Sequence, residues 1–61
     1  MKVKIKTYNG ELPSYFTLGK EYNAMERSNY SLFIMDDDGD STLCAFNGCP
    51  HLNGGSWEII E

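Results

Sequence analysis

No stretch of this sequence approaches the ~20 consecutive apolar residues of a membrane-spanning helix. Its opening residues alternate Lys with apolar side chains, where a secretory leader would carry a continuous apolar core. A cytoplasmic location is therefore the expectation. Cysteine is scarce: Cys44 and Cys49 are the only two. That is too few for a disulfide scaffold, and in a cytoplasmic chain they are expected as free thiols. Positive charge is scarce as well, with five Lys and Arg against nine Asp and Glu, a net charge of −4. Nucleic-acid binding by counterion displacement needs clustered Lys and Arg, so it is disfavoured. Length is the last shortage. At 61 residues the chain makes one domain, residues 1–61, and a domain this small buries only about 60% of its unfolded surface. A core and a deep substrate pocket compete for the same few residues. No enzymatic activity and no cofactor are expected.

What is present is strand-forming. Tyr30 to Phe46 reads as two β-rich runs around Asp36-Asp37-Asp38-Gly39-Asp40. Gly39 can take a positive φ and the aspartates can bond nearby backbone, which is the chemistry of a hairpin turn. Residues 30–35 are apolar on both faces, Tyr30, Leu32 and Ile34 against Phe33 and Met35, which suits a central strand. Residues 1–7 put Met1, Val3, Ile5 and Thr7 on one face and Lys2, Lys4 and Lys6 on the other. The lysines suit a sheet edge. Residues 8–19 form a long loop with Asn9-Gly10, Pro13 and Gly19, yet carry Tyr8, Leu12, Tyr15, Phe16 and Leu18, so the loop should fold back on the core. Residues 20–26 supply a second strand. Residues 47–55 are turn-rich, with a single 3-10 turn after Pro50. Residues 56–60 supply the last strand.

The chemistry-bearing residues do not assemble into a known catalytic or metal pattern. An EF-hand loop begun at Asp36 would have Ser41 at position six and Asn47 at position twelve, and one with Gly39 at position six would begin at Ile34. Cys44, Cys49 and His51 fall one ligand short of a structural zinc site. Cys44, within a strand, is expected as a small buried hydrophobe; Cys49, in a loop, is expected as an exposed thiol. Gly54-Gly55 lacks the lysine and following helix of a phosphate loop. No metal site is expected. The eight aromatics exceed what so small a core encloses. Trp57, Phe33 and Phe46 are expected inside, and Tyr15 and Phe16 at the surface. Aromatics anchor protein interfaces, so Tyr15, Phe16 and Tyr30 are the expected partner contacts, with Asp36, Asp37 and Asp38 steering approach. A sheet edge could instead pair with a partner's strand. The alternative is a single-stranded nucleic-acid barrel using Lys2, Lys4, Lys6 and Lys20 beside tyrosines.

Five short strands, a long first loop, a tight hairpin and a 3-10 turn before the last strand resemble the element order of an SH3-like barrel. The resemblance implies an all-β, five-stranded small barrel. The acidic, tyrosine-rich first-loop signature of peptide-binding SH3 domains is absent, and Tyr30 stands where such domains open the third strand with Trp. The segments Leu18-Gly19-Lys20-Glu21-Tyr22, Asp36-Asp37-Asp38-Gly39 and His51-Leu52-Asn53-Gly54-Gly55-Ser56-Trp57 also resemble small proteins encoded by tailed bacteriophages. That resemblance implies the bacterial host cytoplasm and an accessory role, binding a host or viral protein, as a monomer or small homo-oligomer. A structural virion component is the remaining alternative.

Overall fold

In the computed structural model, which describes all of residues 1–61, five antiparallel strands form one sheet: β1 (Lys2–Thr7), β2 (Tyr22–Ser28), β3 (Ser31–Met35), β4 (Ser41–Ala45) and β5 (Ser56–Ile59). A 3-10 turn, Pro50–Leu52, precedes β5. The strand order is β4-β3-β2-β1-β5. No helix is long and apolar enough to cross a membrane. The two end strands are not joined by a ladder. A single bond ties them, from the Trp57 backbone N–H to the Phe46 carbonyl at 2.9 Å.

The alternation of β1 places as expected: Val3 and Ile5 are buried and the lysines face away. Its position does not. β1 lies between β2 and β5, so it is an interior strand, and the edges belong to β4 and β5. β2 begins two residues later than expected. Gly19, at φ +86°, and the Lys20 N–H to Thr17 carbonyl bond hold Lys20 in the preceding turn, and strand pairing starts at Tyr22. β2 then runs on through Ser28, which still pairs with Ser31. The β2–β3 turn is therefore only Asn29 and Tyr30, and it removes Tyr30 from the strand. β3 is paired on both sides, although β2 holds the middle of the sheet.

The core is Val3, Ile5, Phe16, Tyr22, Leu32, Ile34, Cys44, Cys49, Leu52 and Trp57. Phe16 sits at its centre, ring to ring with Trp57 at 4.9 Å and Tyr22 at 5.4 Å, both edge-on, the geometry aromatic quadrupoles favour. The first loop thus closes one side of the core, and Phe16 is only 3% exposed, which corrects its expected surface position. Cys49 is also fully buried, not an exposed thiol, because the 3-10 turn folds its side chain inward. Phe33, expected inside, is 36% exposed: it lies on the outer face of the sheet, and no second layer covers that face. Phe46 packs partly buried against the core, and so does Tyr15.

Candidate functional site

The acidic turn serves the fold before anything else. Asp36 accepts the N–H groups of Asp38 and Asp40 at 2.9 and 3.0 Å and the Thr42 hydroxyl at 2.7 Å. The Thr42 bond first, then the two N–H groups, hold its carboxyl below the usual range. Asp37 reaches the opposite way. It accepts Lys20 Nζ at 2.5 Å, the Thr17 hydroxyl at 2.8 Å and the Tyr22 hydroxyl at 3.0 Å, and its N–H donates to the Tyr15 carbonyl. Lys20 and then Thr17 hold the Asp37 carboxyl low, and the same bond raises Lys20. Of the expected steering aspartates, Asp36 and Asp37 are thus occupied pinning the hairpin turn to itself and to the first loop. Asp38 is exposed.

His51 is equally committed. Its Nε2 lies 3.1 Å from the Leu43 carbonyl, which can only accept, so Nε2 carries the proton. Nδ1 then accepts the Tyr15 hydroxyl at 2.8 Å. Tyr15 is in this way fixed to the 3-10 turn and is not a free surface aromatic. The Cys44 thiol donates to the Thr42 carbonyl at 3.7 Å, and the proximity of the two thiols pushes Cys44 up and Cys49 down, so Cys49 is the more acidic of the two. Trp57 Nε1 is buried without a hydrogen-bond partner.

These contacts seal one sheet edge and leave the other. Along the outer side of β4, the 3-10 turn packs against the strand and His51 takes the Leu43 carbonyl. β5 differs. The Ile60 N–H donates back to Lys2 on β1, whereas the Trp57 N–H points away, to Phe46. Antiparallel strands turn successive residues to opposite sides. Ile59 therefore directs its N–H and C=O to the open edge, and its side chain is exposed.

A groove of about 480 Å³ lies in this unclosed seam, lined by Lys6, Asn29, Tyr30, Phe46, Asn47, Trp57, Glu58 and Ile59. Tyr30 is 73% exposed at its rim. Of the expected contact residues, the seam gathers Tyr30 alone. It also takes Lys6, whereas Lys20 is paired with Asp37 and Lys4 stands directly across from Glu58. Of the four lysines of the nucleic-acid alternative, Lys20 is thus held by Asp37, while Lys2, Lys4 and Lys6 share the outward face of β1. Phe46, Asn47, Glu58 and Ile59 were not anticipated. No group of three His, Cys, Asp or Glu side chains is placed to hold a metal ion.

No protein-family model matches the chain, and neither does any curated protein or solved structure.

Proposed function

We propose that this chain is a small SH3-like barrel, left open at one seam, that works without catalysis by docking a partner protein. The occupant of the seam is an extended segment of a host or viral protein, lying along β5 as an added strand. Its apolar side chains rest on Tyr30, Phe46 and Ile59. The observation that carries this reading is the asymmetry of the sheet edges: β4 is covered by the 3-10 turn, whose His51 takes the Leu43 carbonyl, while β5 presents Ile59 beside an aromatic groove. Strand addition draws affinity from main-chain hydrogen bonds and selectivity from side-chain pockets. Lys6 and Glu58 flank the groove and would fix the direction of a segment carrying opposite charges. The barrel reading rests on strand order and on the Trp57–Phe46 bond between the end strands. The non-catalytic reading is supported by the commitment of both His51 nitrogens and by the burial of Cys49. A phage accessory protein that occupies a host protein is the setting this fits.

The test is affinity capture from bacterial lysate, with nuclease, comparing wild type with Tyr30→Ala and Ile59→Pro. Proline at Ile59 removes the outward N–H and none of the bonds to β1, a substitution edge strands accommodate. A dominant protein captured by wild type and lost with both variants supports the seam. Capture that both folded variants retain refutes it. Capture that vanishes with nuclease and with Lys2, Lys4 and Lys6 changed to Glu transfers the function to nucleic acid.

A further inference from the structure

The outer face of the sheet is a second surface, sharing no residue with the seam. Met25 pairs with Phe33, and Phe33 with Leu43, directly across β2, β3 and β4. Directly paired residues point to the same side, so the three side chains form one continuous apolar row. Met35 joins it beyond Phe33. Met25 is 70% exposed, and Phe33, Met35 and Leu43 are all uncovered. A shallow groove of about 240 Å³ runs along the face, lined by Asn23, Ala24, Met25, Phe33, Met35 and Ser41. None of these carries a charge. Scattered surface hydrophobics need no explanation, but a contiguous patch marks an interaction surface.

The ends of the face say what covers it. At the β2–β3 end, the Arg27 guanidinium reaches over to the Ser31 hydroxyl at 3.4 Å. At the other end stand Asp38 and Asp40, exposed in the hairpin turn. Ser31 and Met35 are four residues apart on β3, about 13 Å at strand rise. Across β2, β3 and β4 the face is thus basic at one end, apolar between and acidic at the other, with Lys2 beside Asn23 on its β1 flank. A surface that meets its own copy about a twofold axis must be self-complementary. We propose that two copies of this chain pair through the outer face, with the axis running across the strands. Arg27 of each copy then lies over Asp38 and Asp40 of its partner, and Phe33 of each meets the methionines of the other. An axis along the strands would stack acidic end on acidic end. The area is adequate: a standard interface takes about 800 Å² per partner, about a fifth of the 3839 Å² surface. That is the share one broad face holds in a body measuring 26 × 22 × 18 Å. The net charge of −4 on each copy opposes pairing and keeps it weak, with dissociation in the micromolar range or above. A paired module would present two β5 seams.

Sedimentation equilibrium on the full chain, from micromolar to near-millimolar concentration, reads the association. Wild type is expected to dimerise reversibly. Met25→Glu and Phe33→Glu are each expected to weaken the dimer roughly tenfold or more; Met25 is exposed enough to change without unfolding the chain. Arg27→Glu weakens it too, and adding Asp38→Arg with Asp40→Arg restores it. A chain monomeric throughout the series overturns the proposal. So does a dimer indifferent to Met25→Glu, or a charge reversal without rescue.

Discussion

Replacing Gly55 with alanine would set a Cβ 2.0 Å from the Thr7 carbonyl oxygen and 2.7 Å from both Thr7 C and Tyr8 Cα. Ordinary contact begins at 3.4 Å, so the chain at Thr7 and the start of β5 must part by 1.4 Å. The neighbours are backbone atoms, and no rotamer change relieves them. Parting there strains the Cys49 N–H to Gly55 carbonyl bond at 2.8 Å, the Gly55 N–H to Leu52 carbonyl bond at 3.2 Å and the Thr7–Ser56 hydroxyl pair at 2.8 Å. Overpacking typically costs about 1–3 kcal/mol when side chains can yield. Here the upper end, about 3 kcal/mol, is the minimum. One kcal/mol shifts the Tm of a domain this size by roughly 4–8 °C, so Gly55→Ala should melt at least ~12 °C below wild type. The comparator is Gly39→Ala. Gly39 has φ +82° with nothing within 4 Å of its would-be Cβ, so only the left-handed backbone penalty of about 1–2 kcal/mol applies. Thermal melts followed by Trp57 fluorescence decide. Equal melting points for the two variants would refute the steric argument.

Three further expectations follow from named contacts. Trp57→Ala removes an indole packed on Phe16 and Tyr22 and should cost about 3–5 kcal/mol, close to all the stability such a domain holds; a melt within a few degrees of wild type would show Trp57 to be dispensable. The lowered carboxyls of Asp36 and Asp37 contribute stability above their ordinary value of 3.8 and lose it as pH falls through their lower folded values. Asp37→Asn should therefore be less stable at neutral pH and flatter in its acid limb, and urea titrations with parallel acid limbs would contradict this. Both cysteines are buried and free, so a thiol reagent should label neither in the native chain and both in urea; prompt labelling of Cys49 would mean that the 3-10 turn opens.

Strand alternation and turn chemistry read well from the residues. The Asp/Gly turn, the Pro50 turn, the buried Val3 and Ile5 and the buried Cys44 all lie where their neighbours direct them. Strand neighbours did not read. Lys2, Lys4 and Lys6 suggest an edge, but only long-range pairing decides that β5 lies beyond β1. Aromatic burial failed in both directions for the same cause. Phe16 and Phe33 are alike in sequence, yet the first loop folds over one face of the sheet and nothing folds over the other. Asp36 and Asp37 look like solvent-exposed charge because a sequence does not show Thr17, Lys20 and Thr42 arriving from elsewhere. For the seam, Tyr30 was readable as an aromatic contact. Ile59 was not, since its role depends on how the 3-10 turn covers the opposite edge.

The account turns on a free β5 edge, and amide hydrogen exchange of the isolated chain, read residue by residue, tests it most directly. Glu58 and Ile60 bond toward β1 and should be protected, and Ile59, between two protected neighbours, should exchange rapidly. This alternation separates an open edge from a fraying terminus, which would expose all three β5 positions together. Protection of Ile59 equal to that of Glu58 would mean that the edge is already filled and would contradict the docking seam.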